Sequence, residues 1–140
     1  MDLDLALAHA WIAAAAARVD AEADRLTALD AAIGDGDHGA NLRRGFAAVR
    51  DAEGETPGEY LVSVGRTLIS SVGGASGPLY GSAFRALGKA LGESPAVDAA
   101  RLGEGMAAAV AAVQRLGGAQ PGDKTMVDAL GPAAEAFAAR

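Results

Sequence analysis

The amino-acid sequence predicts an all-α domain, an up-and-down antiparallel array of about six helices. Ala, the residue with the highest helix propensity, is the commonest residue in the chain. Only 4% of residues are aromatic although 51% are hydrophobic, so the side chains that favour strands are scarce. Apolar residues also recur every three or four positions along most of the chain. The length of 140 residues fits a single domain, residues 1–140, whose helices must approach closely along small Ala and Gly faces.

The first predicted helix covers about residues 3–29, where Leu3, Leu7 and Trp11 begin a stripe at helical spacing. Five further helices are marked by similar stripes: Leu42, Phe46 and Val49; Leu61, Val64 and Leu68; Leu79, Phe84, Leu87 and Leu91; Val97, Leu102, Met106, Val110, Val113 and Leu116; and Met126, Leu130 and Phe137. Asp123 is expected to cap the sixth helix.

Three Gly-rich loops separate these helices, at residues 30–39, 70–78 and 117–123. They follow the first, third and fifth helices. Because alternate loops of an antiparallel array lie at the same end, we expect all three to converge. This convergence predicts a functional site at that end.

Two of the loops contain nucleotide-binding patterns in the wrong context. Residues 34–39 match G-x-G-x-x-G, and residues 117–125 come within one residue of a P-loop. Both patterns bind phosphate only after a β-strand, whereas a helix is predicted before each of these loops. Neither a Rossmann fold nor a P-loop fold is therefore expected.

Charge and composition exclude several classes of partner. A formal charge of -6 argues against a protein that binds nucleic acid by neutralising its phosphate backbone. The chain has no Cys, which excludes disulfides and thiolate metal sites. The acidic start lacks the basic flank of a signal peptide, and no apolar run is long enough to cross a membrane. We expect a soluble, cytoplasmic protein.

The first loop concentrates carboxylates at Asp30, Asp35 and Asp37. Mg²⁺ takes oxygen ligands and is often held by a few carboxylates together with substrate phosphates. Turn formation and capping of the next helix are the alternative roles for these residues. His38 and Asn41 follow at the start of the second helix, where His38 either satisfies a backbone carbonyl or donates to phosphate.

The second loop, Gly73 to Pro78, opens the fourth helix with small residues. Backbone N–H groups at a helix N-terminus bind anions, although Gly also serves in plain helix connections. Phosphate on this loop and a metal on the aspartates would support each other, because the metal would neutralise the acidic charge facing the phosphate.

Three segments together closely resemble the nucleotide-binding L subunits of dihydroxyacetone kinases, the DhaL family: residues 30–41, 70–81 and 121–128. The resemblance implies an antiparallel helical barrel with the nucleotide at one end. It implies that two Mg²⁺ ions are held by Asp30, Asp35 and Asp37. The residues implied to contact ADP or ATP are His38, Gly39, Ala40, Asn41, Ala75 and Ser76, with Gly117 and Met126 near the nucleoside.

The resemblance also implies an activity. In the phosphotransferase-system form of the family, bound ADP accepts a phosphoryl group from a phosphohistidine donor subunit. The nucleotide then passes it to dihydroxyacetone held on a separate K subunit. Two alternatives remain open, a non-catalytic nucleotide-binding or regulatory module and a helical interaction fragment without a ligand.

Family members continue beyond the segment around Met126 with further helices and a loop that closes over the nucleotide, whereas this sequence ends at Arg140. We therefore expect an incomplete barrel that retains nucleotide weakly. Exposed apolar surface is expected to favour association, including homo-oligomers.

Overall fold

The computed structural model describes residues 1–140 and contains six α-helices. The helices are α1 Leu5–Ala31, α2 His38–Ala48, α3 Pro57–Ser71, α4 Ser76–Leu91, α5 Ala99–Gly117 and α6 Val127–Ala138, with a 3₁₀ turn Val49–Asp51 after α2. Successive helices pack on one another in chain order, most extensively α3 on α4. The all-helical prediction is therefore confirmed.

A short pair of strands ties the beginning of the chain to the α4–α5 connection. Strand β1, Leu3–Asp4, pairs antiparallel with β2, Ala96–Val97, so that Leu3 lies opposite Val97. The predictions that Leu3 begins the first helix and Val97 lies in the fifth were wrong. Both side chains are buried in the core, and the strand pairing satisfies their backbone, whereas Asp4 caps α1 by accepting the N–H of Leu7 at 2.8 Å.

The loop predicted at residues 70–78 is shorter than expected. Helix α3 continues to Ser71, and α4 already begins at Ser76, so only residues 72–75 connect them. Gly77 and Pro78 lie in the first turn of α4, where Pro is tolerated because the N–H that it lacks has no intrahelical acceptor there. The prediction that these two residues lie in the loop was wrong.

Glycines allow α3 and α4 to approach closely, as the composition predicted. A Cβ at Gly65 of α3 would lie 2.5 Å from the carbonyl oxygen of Gly81 on α4, and a Cβ at Gly81 would lie 2.6 Å from that of Gly65. A Cβ at Gly88 would likewise lie 2.5 Å from the carbonyl oxygen of Gly58. The two backbones therefore meet with almost no side chain between them.

The core lies between these helices, and one apolar cavity remains in it. The largest fully buried side chains of the core include Ile12, Leu61, Val64 and Leu68. The cavity of about 200 Å³ is lined entirely by apolar residues of α1, α2, α4, α5 and α6.

None of the six helices combines the length and the apolar character that a membrane span requires.

Apolar surface is present, as expected from the sequence. The exposed large apolar side chains are Met1, Leu7, Trp11, Leu29, Ile33, Ile69 and Leu116. Leu7 and Trp11 lie on α1, of which only Ala8, Ile12 and Ala23 are buried. Most of α1 is thus accessible from outside the molecule.

Candidate functional site

The three carboxylates predicted from the first loop lie together in the structure. Ligand oxygens of Asp30, Asp35 and Asp37 all fall within 4.8 Å of one another. Asp30 is half-buried at the end of α1, whereas Asp35 and Asp37 are exposed in the turn that leads into α2. A cation has access to this group from outside the molecule.

Asp30 also organises the turn itself. Its Oδ2 atom accepts the backbone N–H groups of Asp37 at 3.0 Å and His38 at 3.2 Å. It therefore caps the N-terminus of α2 from the end of α1, because Asp37, the N-cap residue, makes no such bond with its own side chain. The metal-ligand and capping interpretations of the sequence are compatible, since Oδ1 of Asp30 is left for another partner.

The neighbouring carboxyl groups disfavour the ionised form of Asp35. A hydrogen bond with the side chain of Asp37, together with repulsion from the charge of Asp37, raises the pKa of Asp35. Asp30 adds to this repulsion. Like charges that share a small volume favour a proton or a cation between them.

The second loop meets the start of α2. Ser76 Oγ, in the first turn of α4, lies 3.3 Å from Nδ1 of His38. The amide of Asn41, the buried polar side chain of the core, lies 3.2 Å from where a Cβ on Gly73 would stand. Arg44 donates to Asn41 Oδ1 at 3.1 Å. The first two loops therefore form one continuous surface.

The helix N-termini at this end are capped differently from those at the other end. Asp4, Thr56 and Asp98 cap α1, α3 and α5 with their own side chains. The N-cap residues of α2, α4 and α6 make no such bond. Asp30 replaces the cap for α2 and Thr125 bonds the N–H of Val127 in α6, whereas no side chain caps α4. The N-terminus of α4 is thus available to an anion.

The third loop starts beside this surface. A Cβ at Gly117, the last residue of α5, would lie 3.2 Å from Cδ2 of Leu79, one turn into α4 from Ser76. Met126 is half-buried at the N-cap of α6, so the prediction that Asp123 caps this helix was wrong. Asp123 instead accepts the N–H of Gln120 at 2.8 Å within the loop.

The remaining predicted residues lie in the first turns of α2 and α4. Gly39 packs so closely on α1 that a Cβ would collide with the carbonyl oxygen of Ala23 and with Thr27, which accounts for the Gly. Ala40 is exposed beside it, and Ala75 is the N-cap residue of α4. The P-loop-like pattern follows helix α5, and the G-x-G-x-x-G pattern follows α1, so neither has the strand that it would require.

Asp128 has a structural role that was not predicted from the sequence. Its carboxylate accepts the backbone N–H groups of Gly122 and Lys124, both at 2.8 Å. A carboxylate in the first turn of a helix that follows a Gly-rich loop is a signal for such an interaction, and it is visible in the sequence.

Comparison with known proteins agrees with this architecture. The family model described as the DAK2 domain matches residues 32–140. The chain is 39% identical over 141 residues to the ADP-binding subunit DhaL of PEP-dependent dihydroxyacetone kinase 1 from Listeria innocua, and it covers 71% of that protein. The corresponding DhaL subunit of Escherichia coli is 37% identical over 131 residues, 62% of its length.

Larger proteins contain a similar region. The D-erythrulose kinase of Mycolicibacterium smegmatis is 42% identical over 135 residues, which are 92% of this chain and 23% of that protein. The crystal structure of the dihydroxyacetone kinase of C. freundii in its native form superposes with a TM-score of 0.77 and 26% identity, covering 98% of this chain and 26% of that chain. Sequence and fold agree, and the chain belongs to the DAK2 domain family, whose matched members are kinases or kinase subunits.

Proposed function

We propose that this chain is the ADP/ATP-binding subunit of a dihydroxyacetone (glycerone) kinase. In this proposal the chain would hold a Mg²⁺-bound nucleotide for phosphoryl transfer to a short ketose on a partner K subunit. A phosphohistidine subunit of the phosphotransferase system would return a phosphoryl group to the bound ADP. The names of the DhaL relatives, two of which are PEP-dependent dihydroxyacetone kinase subunits described as ADP-binding, support this assignment.

One observation carries the proposal. The uncapped N-terminus of α4 adjoins the His38–Ser76 pair, and His38 follows directly on the Asp30, Asp35 and Asp37 cluster. An anion at α4 would receive backbone N–H groups and the positive end of the helix dipole. The carboxylates would hold a cation, which would supply positive charge to the phosphates. A metal–nucleotide complex has the charges to match both halves of this site.

The donor set fits Mg²⁺. Its members are hard carboxylate oxygens that lie within 4.8 Å of one another. A hydrogen bond with the side chain of Asp37, and then repulsion from its charge, raise the pKa of Asp35. Asp35, Asp37 and the Oδ1 atom of Asp30 would hold the metal, for which the sequence resemblance implies two ions. When bound, Mg²⁺ supplies the positive charge that phosphoryl transfer requires in a site with few basic side chains.

The chain's own residues would position the nucleotide. His38 and Ser76 would donate to phosphate oxygens, as would the backbone N–H groups at the start of α4. The half-buried Met126 and the glycine at 117 would contact the nucleoside. No residue here is assigned as a general base, because positioning and charge stabilisation supply most of the catalysis in phosphoryl transfer. The partner K subunit would hold the sugar and bring it to the end of this chain that carries the exposed carboxylates.

Calorimetric titration with ADP in the presence of Mg²⁺ tests the binding step. Asp35→Asn and Asp37→Asn should each weaken Mg²⁺-dependent ADP binding by about tenfold or more. Asp24→Asn, which changes an exposed carboxylate of α1 outside the cluster, is the matched control and should bind normally. Asp30 is a poorer choice, because its replacement would also remove the cap of α2. Equal binding by the cluster variants and the control would refute the metal assignment.

Reconstitution tests the catalytic step. The chain is mixed with a K subunit, a phosphohistidine donor and dihydroxyacetone, and formation of the phosphorylated ketose is followed. We expect product only when all components and Mg²⁺ are present. A chain that binds MgADP tightly yet supports no phosphorylation would instead be a non-catalytic nucleotide-binding module.

A further inference from the structure

The carboxylate of Asp128 restrains the connection between α5 and α6 through two hydrogen bonds. Asp128, in the first turn of α6, reaches back to accept the N–H groups of Gly122 and Lys124, each at 2.8 Å. The N–H of Gly122 contributes most to lowering the pKa of Asp128, and those of Lys124 and Thr125 contribute as well. The negative charge therefore sits among backbone donors that converge from one loop.

This arrangement resembles a bound anion in a phosphate loop. In a P-loop, backbone N–H groups of a Gly-rich segment surround a phosphate before a helix begins. Here two donors of the same kind, the N–H groups of Gly122 and Lys124, are occupied by a carboxylate of the chain itself. These two N–H groups are therefore not free to bind phosphate, whereas the N-terminus of α4 has no side-chain cap.

The loop needs an external restraint. Lys124 has a φ of 61°, the one non-Gly residue of the chain with positive φ, and Gly122 has a φ of 95°. The left-handed region is unfavourable for a residue with a Cβ and persists only where surrounding interactions hold it. The bond from the N–H of Lys124 to Asp128 is such an interaction, and Met126 follows two residues later.

We propose that Asp128 is a positioning residue for the nucleoside, acting by fixing the α5–α6 loop that begins against α4 at Gly117 and ends at Met126. This inference rests on the proposed function. Asp128 need not touch the nucleotide. It occupies the loop's own anion-binding donors and holds the loop in the conformation that presents Met126. Phosphate recognition is thereby left to α4 and the aspartate cluster.

The test distinguishes the contribution of the nucleoside to binding from that of the phosphates. Wild type, Asp128→Asn and Asp128→Ala are titrated with MgADP and, separately, with magnesium pyrophosphate, which lacks the nucleoside. The Asn variant keeps one acceptor oxygen and the shape of the side chain, whereas Ala removes both acceptors. Asp123→Asn is the matched control, since that carboxylate accepts one N–H within the same loop. Because Asp128 is exposed, the variants are expected to fold, and thermal melts monitored by circular dichroism check this.

We expect Asp128→Asn and Asp128→Ala to bind MgADP about tenfold more weakly than wild type, from the loss of charge-assisted hydrogen bonds. Magnesium pyrophosphate should bind within about twofold of wild type. Amide exchange at residues 122 and 124 should accelerate in the free variants but not in Asp123→Asn.

Two results would overturn this assignment alone while leaving the proposed function intact. One is unchanged MgADP affinity in both Asp128 variants, and the other is an equal loss for MgADP and magnesium pyrophosphate. A wild-type chain that binds neither ligand would refute the proposed function, and the role of Asp128 with it.

Discussion

Replacement of Gly65 by Ala tests whether the close contact of α3 with α4 shapes the site. The added Cβ would lie 2.5 Å from the carbonyl oxygen of Gly81 and 2.7 Å from the backbone nitrogen of Arg85. These are backbone atoms, so relief requires α4 to move rather than a side chain to rotate. Real Cβ atoms essentially never come closer than 3.0 Å to such neighbours, so the helices must separate by about 0.5 Å.

The magnitude follows from two opposing effects. Overpacking a tight interface costs about 1–3 kcal/mol. Replacing Gly by Ala inside a helix returns about 1 kcal/mol through helix propensity. The net change in the free energy of unfolding should therefore be a loss of about 1 kcal/mol. Because α4 carries Ser76 at its N-terminus, the same displacement should also weaken MgADP binding.

Urea denaturation followed by circular dichroism measures the first effect, and calorimetry the second. Gly103→Ala in α5 is the control, because its Cβ would meet the ring of Phe137 at an ordinary 3.6 Å. This variant should be more stable than wild type by up to about 1 kcal/mol. If Gly65→Ala were stabilised as much as Gly103→Ala, the close backbone approach would be refuted.

Other consequences can be measured with the same assays. Leu68→Ala should lower the free energy of unfolding by about 2–5 kcal/mol in urea, since Leu68 is fully buried; a smaller loss would mean that the core collapses around the gap. Ser76→Ala removes the partner of His38 and should weaken MgADP binding several-fold without changing the melting temperature, so unaltered affinity would remove Ser76 from the site. The N–H of Gly122, foremost among the loop's donors, lowers the pKa of Asp128 below its ordinary 3.8. The ionised Asp128 carboxylate should therefore stabilise the fold fully above pH 3.8, and this stabilisation should disappear as the pH falls through the lower pKa of the folded state. A carbon-13 titration of the Asp128 carboxyl group with its midpoint at or above pH 3.8 would contradict this.

Local patterns predicted the helices well where the apolar stripe was regular and less well at their ends. The segment around Pro78 looked like loop because Gly and Pro disfavour helices in general. The structure places it in the first turn of α4, where those objections do not apply. Asp123 looked like a cap from its position alone, yet its acceptor is used inside the loop by Gln120. Such choices depend on which donors a folded loop brings within reach.

The helical class, the family resemblance and the clustering of carboxylates could all be read from the sequence, because helix propensity, apolar spacing and three aspartates within eight positions are local properties. What each polar group does depends on the folded chain. The conformation of the first loop directs Asp30 to cap α2, and tertiary packing brings His38 to Ser76 across 38 positions of the chain and leaves α4 uncapped. The conformation of the third loop likewise directs Gly122 and Lys124 onto Asp128. The contact of His38 with Ser76 depends on the distance between α2 and α4, which tertiary packing sets and which no local pattern contains.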